Sequence, residues 1–414
     1  VSGWLVFLLA SAGHAEWWVI AVNRLHSFPI SAHKLRRFRT VHDFAVPGFP
    51  LLLAAMAGFG EQGLLCGGSP ADQPVTMQLL LACAASGCIP LLVGILRWQA
   101  FGRKAFLLAD SRELIIVRDT NSTEHKTNST EHKPAPTQAI ETVSGLPKTL
   151  ARIWPFNEFN HLELNRKSIR IVAPRTRNRP ATSNDIHHRP LRLLHFSDLH
   201  FTGTPGLGFY REFVHHALQH PADAIFFTGD LIDAPELLPH AIEILRPLTQ
   251  HAPCWFVLGN HDWRYEHEHV RRTLEKSGWI CVAGNGHQVV LNGLEVFIAG
   301  SERPWMGNEP PIAGDISADL KVLLCHTPDG RTDAACRGYQ LVLCGHTHGG
   351  QVVLPVIGPV YSPSITGVRF ASGLFQWPDF VMHVSRGIGS KDPLRWNCPP
   401  EVTWLEVTLV PPAL

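Results

Sequence analysis

The chain is poor in charge and has no surplus of either sign. Only 17% of its 414 residues are charged, and 36 Lys and Arg stand against 35 Asp and Glu. That balance excludes a global electrostatic attraction to nucleic acid or to an acidic partner, so no nucleic-acid partner is expected. Paired-cysteine motifs are missing too: the nine cysteines, an odd number, include no CxxC and no zinc-ribbon spacing. Six of them (Cys254, Cys281, Cys325, Cys336, Cys344 and Cys398) fall in the C-terminal half. Several sit inside apolar runs, where a reduced thiol serves as a small buried hydrophobe. This usage suits a reducing compartment better than an oxidising one.

What the chain has in plenty is apolar sequence, crowded into its first hundred positions. Trp4 to Val22 is one stretch, interrupted by His14 and Glu16. Phe44 to Phe59 is a second, with Pro47 and Pro50 near its start. Val75 to Leu96 is the third, 22 residues without a formal charge. A bilayer core takes about 20 predominantly apolar residues in a helix, so the spacing predicts three spans. Basic residues then set the orientation. Arg24, Lys34, Arg36, Arg37 and Arg39 lie between the first two stretches, Leu64 to Gln73 has none, and Arg97, Arg103 and Lys104 follow the third. By the positive-inside rule the first loop and everything after residue 97 are cytoplasmic, which predicts an inner-membrane protein with its N-terminus outside. Leu5 to Ala12 followed by Gly13-His14-Ala15 also resembles a short signal-peptide core, but no Lys or Arg precedes it, and a cleaved signal would leave the basic loop outside.

The expected organisation is a membrane region over residues 1–105, a linker over 106–190 and a catalytic domain over 191–414. Leu108 to Arg118 reads as a short strand and Leu162 to Val172 as an edge strand. Between them Thr120 to Lys126 (TNSTEHK) is repeated directly as Thr127 to Lys133, a polar segment without an apolar face that is expected to be a tether.

From Leu191 the text changes to short apolar strands, each running into metal-ligand residues. Leu191 to Phe196 leads to Asp198 and His200, Ala222 to Thr228 to Asp230 and Asp233, and Pro253 to Leu258 to Asn260, His261 and Asp262. Lys321 to Cys325 leads to His326, and Gln340 to Cys344 to Gly345-His346-Thr347-His348-Gly349-Gly350. Helix-length stretches lie between, such as Pro235 to Leu248 with Leu238, Ile242 and Leu245 at helical spacing. Strand, polar tip and helix in alternation make an α/β fold, and in such sheets ligands collect at the carboxyl ends of the strands. Carboxylate, imidazole and amide oxygen together suit divalent Mn, Fe or Zn better than Ca. Two such ions about 3.5–4 Å apart clamp the attacking and leaving oxygens of a phosphoryl displacement.

DxH, GDxxD, GNHD, a lone His and GHxH, in that order, resemble the calcineurin-like metallophosphoesterase family. The resemblance covers roughly residues 191–409 and implies two stacked mixed β-sheets flanked by helices, preceded here by the transmembrane region. It implies that Asp198, His200 and His348 hold one divalent metal ion, that Asn260, His326 and His346 hold a second, and that Asp230 bridges them. His261 would face the substrate as general acid or transition-state stabiliser, Asp262 would orient it, and Asp233 would support the ligands. One departure is visible: His326-Thr327-Pro328-Asp329 carries Thr where Asn is expected.

The closing sequence, with Ser385-Arg386-Gly387-Ile388-Gly389 and Pro393 to Glu401, resembles a membrane-associated bacterial branch similar to UDP-2,3-diacylglucosamine pyrophosphatases of lipid A synthesis. Arg386, Lys391 and Arg395 are candidates for phosphate or pyrophosphate contact. The expected activity is metal-dependent hydrolysis of a phosphodiester or pyrophosphate by metal-activated water, on a phosphorylated small molecule or a lipid-linked sugar nucleotide. The alternatives are a broad-specificity or nucleotide phosphodiesterase or phosphatase, and a membrane sensor that binds phosphate without turnover. For a lipid substrate, Trp305, Met306, Phe370, Phe375 and Trp377 are the expected apolar landing surface.

Overall fold

The computed structural model describes residues 2–101, 107–116, 156–173 and 189–411. The chain forms two compact units, Val1–Gly102 with Tyr361–Arg369, and Arg103–Val360 with Phe370–Leu414. The TNSTEHK repeat lies outside the described residues.

The first unit is helical: α1 (Gly3–His26), α2 (Ala32–Leu53), α3 (Val75–Ala85) and α4 (Cys88–Phe101). Three segments, Gly3–His26, His33–Gly58 and Val75–Arg97, are long and apolar enough to cross a membrane. The second begins well before the expected Phe44, because α2 starts at Ala32 and takes the basic residues Lys34 to Arg39 into its first turns. Pro47 and Pro50 lie within it, and it ends in a wider turn over Ala54–Gly58. The third is interrupted at Ser86 and Gly87, where the chain crosses α1. A Cβ at Gly87 would lie 2.0 Å from the Gly13 carbonyl oxygen, and one at Gly13 would lie 2.2 Å from that of Ala84. Only small residues let helix backbones approach this closely, a common device where no water drives helices together. The crossing satisfies its polar groups locally: Trp17 Nε1 donates to Ser86 Oγ at 3.2 Å, and the Cys88 thiol to the Leu9 carbonyl at 3.2 Å.

The second unit is built on two mixed sheets. The larger has the order β1 (Leu107–Ile116), β2 (His161–Val172), β15 (Glu401–Val410), β3 (Leu191–Phe196), β4 (Ala224–Phe227), β5 (Cys254–Phe256), β6 (Ile280–Cys281). The smaller has the order β13 (Gly373–Gln376), β14 (Val381–Val384), β10 (Leu341–Cys344), β9 (Leu320–Cys325), β8 (Leu294–Ser301), β7 (Gly286–Leu291). A hairpin of β11 (Val353–Leu354) and β12 (Gly358–Pro359) stands apart from both. The stretch read as linker thus supplies two strands, and β2, expected at an edge, runs between β1 and β15. Its alternation is the reason: Leu162, Leu164, Ile169 and Ile171 are all buried, so the strand has an apolar side to cover.

Period-two patterning explains the layers. On β3, Leu191 and Leu193 point into the space between the sheets with Phe226, Trp255, Ile298, Val322, Leu324 and Leu343. Leu194 and Phe196 point the other way, toward the helices Leu207–Leu218 and Leu238–His251. In the latter helix Leu238, Ala241, Leu245 and Leu248 are buried, and Ile242 lies at the margin of that face. All nine cysteines are free; Cys254, Cys325, Cys344 and Cys398 are buried as expected of small hydrophobes, whereas Cys336 is exposed. The parallel strands β3, β4 and β5 of one sheet and β9 and β10 of the other end at the site described next.

Candidate active site

At the ends of β3, β4 and β10 the backbone leaves extended geometry at the polar residues themselves. Asp198, His200, Asp230, His346 and His348 all have φ between 45° and 72°, in the left-handed region. Asp, Asn and His tolerate that region better than other side chains, and such residues concentrate at functional sites. The glycines of GNHD and GHxH are steric necessities. A Cβ on Gly259 would lie 2.1 Å from Asp230 Oδ1, and one on Gly345 would lie 1.9 Å from Ser197 Oγ and 2.3 Å from Asp198 Oδ2. Backbone therefore passes directly against the carboxylates.

Three groups of side chains bring their ligand atoms within 4.8 Å of one another: Asp198, His200 and His348; His200, Asp230 and His261; and Asp230, His326 and His346. Asp230 Oδ2 joins the groups, lying 3.5 Å from His200 Nε2 and 3.2 Å from His326 Nε2. His326 Nε2 also lies 3.0 Å from Asn260 Oδ1 and 3.2 Å from His346 Nδ1. On the other side His200 Nε2 and His348 Nε2 are 3.1 Å apart, and His348 Nε2 is 3.5 Å from Asp198 Oδ1. The outer ring nitrogens fix what these inner ones present. His326 Nδ1 donates to the Thr228 carbonyl at 2.7 Å, and His200 Nδ1 to Asp233 Oδ2 at 2.9 Å. In its neutral form each imidazole has one N–H, and with that on the outer nitrogen both Nε2 atoms would turn lone pairs toward neighbouring acceptors. Acceptors crowded this closely repel unless a cation sits among them.

The electrostatics agree. Burial alone would strip His326 and His200 of a proton, yet Asp230 raises His326 to about 9 and Asp233 with Asp198 holds His200 well above its ordinary value. Burial pushes the Asp230 carboxyl up, but the imidazoles of His326, His261 and His200 outweigh it and hold it well below the usual carboxylate range. The site thus draws positive charge into a dry interior, and the donor set fits divalent ions that take the place of those protons.

His261 stands at the open side, its side chain 13% exposed while those of His200 and His326 are at most 1%. Its Nδ1 donates to Asp233 Oδ1, so one carboxylate fixes both His200 and His261. The orienting role expected of Asp262 is therefore corrected: Asp262 is fully buried and accepts from the backbone N–H groups of Asp230, Leu231, Ile232 and Gly259. It shapes the Asp230 loop. Burial and the nearby Asp230 charge push its carboxyl up to about 7.

The phosphate-binding expectation for the arginines is corrected as well. Arg386 is committed to Glu401 and Glu163, with Nε to Glu401 Oε2 at 2.9 Å and Nη2 to Glu163 Oε1 at 2.6 Å. Arg395 is wholly buried and donates to the carbonyls of His348, Arg386 and Gly389. Both brace the loops behind His348 through these contacts, and Arg395 Nε is buried without a hydrogen-bond partner. Lys391 is exposed. The landing surface is misplaced too: Trp305, Phe370 and Phe375 are buried, and Met306 and Trp377 are only partly exposed. Trp305 packs on the rings of His326 and His346 at centroid distances of 5.6 and 5.0 Å.

Two supports went unread. The Thr228 carbonyl carries no sequence signal, since every residue has one. Glu302 is fully buried, takes a two-point contact from Arg271 and accepts the Leu258 N–H at 2.7 Å, steadying the turn into Asn260. A lone Glu closing the apolar run of β8 was its available signal.

Known proteins carry the same sequence pattern. The profile of the calcineurin-like phosphoesterases matches residues 191–350. Phosphodiesterase YaeI of Escherichia coli is 31% identical over 224 residues, 53% of this chain and 82% of that protein. The metallophosphoesterase YkuE of Bacillus subtilis is 32% identical over 222 residues, 51% of this chain and 77% of that protein. The UDP-2,3-diacylglucosamine pyrophosphatase LpxG of Chlamydia trachomatis is 24% identical over 330 residues, 64% of this chain and 95% of that protein. With five strand tips converging on one acceptor-lined pair of sites, the profile match and these relatives make the chain a member of the calcineurin-like phosphoesterase family.

Proposed function

We propose that the chain is a membrane-anchored hydrolase that cleaves a phosphodiester or pyrophosphate, with a lipid-linked sugar nucleotide such as UDP-2,3-diacylglucosamine as its substrate class. The observation that carries the chemistry is Asp230 Oδ2, one oxygen facing both His200 and His326. Asp198, His200 and His348 would hold one divalent ion, Asn260, His326 and His346 the second, and Asp230 would bridge. Bound there, such ions supply Lewis acidity and a nucleophile at neutral pH. His261, oriented by Asp233 through Nδ1, places Nε2 at the open face, where its protonated form would donate a hydrogen bond or a proton to the phosphoryl group. Asp262 keeps the Asp230 loop in its left-handed turn. Burial of the ligand set excludes bulk water and strengthens every interaction within it.

The substrate class rests on the likeness to LpxG and on the apolar helices, since a tethered enzyme meets a lipid-linked substrate at high effective concentration. The basic residues around the helices support an inner-membrane location with the catalytic unit in the cytoplasm. Reporter fusions after Arg39 and after residue 104 should read cytoplasmic, and one near Gly67 external. Purified full-length protein, stripped of metal and resupplied with Mn, Fe or Zn, should hydrolyse bis(4-nitrophenyl) phosphate. Binding of phosphate without turnover would assign it as a sensor. In mixed micelles, kcat/KM should be higher for UDP-2,3-diacylglucosamine than for its unacylated counterpart; equal values would remove the lipid from the proposal and leave the phosphoesterase.

A further inference from the structure

The hairpin that follows the last ligand loop is unlike other surface turns of the catalytic unit. From Gly349 to Val368, between His348 and Arg369, the chain has 20 residues and no Asp, Glu, Lys or Arg. Within that stretch β11 and β12 pair Val353 with Pro359 and Leu354 with Gly358, leaving Pro355, Val356 and Ile357 at the tip. Val356 is 80% exposed and Ile357 39%. Val356 also has φ 69°, in the left-handed region. A turn of this length asks for Gly or Asn at such a position, and a β-branched residue there is an outlier that costs free energy. A hairpin designed for water would spend a polar or glycine residue where this one exposes a strained valine.

Single exposed apolar residues are ordinary on protein surfaces. Val290 on β7, 66% exposed among His287, Gln288 and Asn292, is one of them. The hairpin differs in being contiguous, uncharged and strained. Its surroundings in the chain name an occupant. Upstream, Val356 follows His348 by eight residues, so the tip lies at most about 28 Å from that ligand. Downstream, Tyr361–Arg369 belongs to the same compact unit as the apolar helices, and there Tyr361 meets His26 edge to face at 6.5 Å. The uncharged path runs from the ligand loop into the unit whose helices call for a bilayer.

We propose that the hairpin Val353–Pro359 is a membrane-contacting element whose Val356–Ile357 tip enters the headgroup and acyl-chain border of the lipid bilayer. Apolar side chains at a short, uncharged tip bind that border through the area they bury. The inference rests on the membrane-anchored reading; its crosslinking arm does not need the identity of the substrate, and its kinetic arm uses the acylated substrate class proposed above.

The test uses the full-length protein reconstituted in phosphatidylethanolamine and phosphatidylglycerol vesicles, with a diazirine amino acid at position 356 and, as the control, at position 290. Irradiation should give phospholipid adducts at 356 about ten-fold or more above those at 290, as expected for a side chain held in the acyl border. Equal yields at the two positions, or adducts at 356 only to another protein chain, would overturn the proposal. This readout needs no turnover, so it stands even if the phosphoesterase reading fails. Val356→Gly guards against misfolding, because it removes the side chain and relieves the positive φ together. It should keep or raise the thermal midpoint and leave bis(4-nitrophenyl) phosphate turnover unchanged, while lowering kcat/KM on vesicle-borne acylated substrate by about three-fold or more. A fall in thermal midpoint with unchanged efficiency on the vesicle substrate would mean that Val356 serves packing, and would also overturn the proposal.

Discussion

The two units of this protein treat large apolar side chains in opposite ways. The helical unit turns many outward: Phe44 is 75% exposed, Leu51 71%, Ile89 67% and Met56 63%. What it buries is small, with Ala10, Ala57 and Ala84 beside Leu53, Leu64, Met77 and Leu81. The catalytic unit buries its Phe, Trp and Leu on both faces of its sheets and places charged and imidazole groups at one end of five strands. The requirement that apolar surface leave water is met by self-packing in one unit, whereas the other leaves it on helices long and apolar enough to cross a membrane. Where packing cannot rely on water, backbone contact at Gly13 and Gly87 replaces side-chain interdigitation.

The sharpest test of the catalytic side is Asp230→Asn. An amide cannot bridge two cations as a carboxylate does, so metal analysis should find fewer than two ions per chain and turnover should fall to background. Two retained metals with normal turnover would refute the bridging role. His261→Ala should keep both metals and lower kcat by roughly 10²–10⁴-fold, the usual scale for a lost proton donor or charge-stabilising contact.

The next pair of substitutions strikes at the contrast itself. Phe227 is wholly buried, and Phe227→Ala should destabilise the catalytic unit by about 3–5 kcal/mol in thermal unfolding. Leu52 is 60% exposed, and Leu52→Ala should change stability little. Leu52→Asp, harmless if that face met water, should cost about 2.5–3.5 kcal/mol of membrane insertion. Extraction of the Leu52→Asp protein in the membrane fraction with wild-type yield would break the comparison. A smaller effect distinguishes the catalytic unit by its proton dependence. His383 is fully buried against His195, and burial pushes it down to about 4. Its unfolded form binds a proton near 6.5, so its contribution is complete above that pH and is lost as pH falls toward 4, by up to about 3 kcal/mol. His383→Gln should flatten the decline of thermal midpoint between pH 6.5 and 4.

The convergence of the candidate ligand residues was readable because each follows an apolar strand, and no soluble strand core has reason to end five times in Asp, Asn or His. Their left-handed backbone was not, since it depends on which strands lie side by side. Arg386 and Arg395 misled because an arginine near a glycine loop looks the same whether its partner is a phosphate, a buried glutamate or a backbone carbonyl. Glu163, one of the two partners, comes from β2, more than two hundred positions earlier. Asp262 misled for a related reason: adjacency to His261 in sequence suggested contact, while the helical turn Asn260–Arg264 sends neighbouring side chains in different directions. The strands β1 and β2 were legible as strands, but not their place beside β15, which no local pattern encodes.

That place has a consequence for how the protein is made. β15 lies between β2 and β3 in the middle of the larger sheet, although its residues, Glu401–Val410, leave the ribosome after every ligand has been synthesised. At about 5–20 residues per second, β3 waits roughly 10–40 s for its partner while the apolar helices are already available for insertion. During that interval β2 and β3 present open edges beside one another's vacant partner. A nascent chain stalled before Glu401 therefore holds the complete set of candidate ligands and no completed sheet to carry them, and it should be a preferred client of chaperones and proteases.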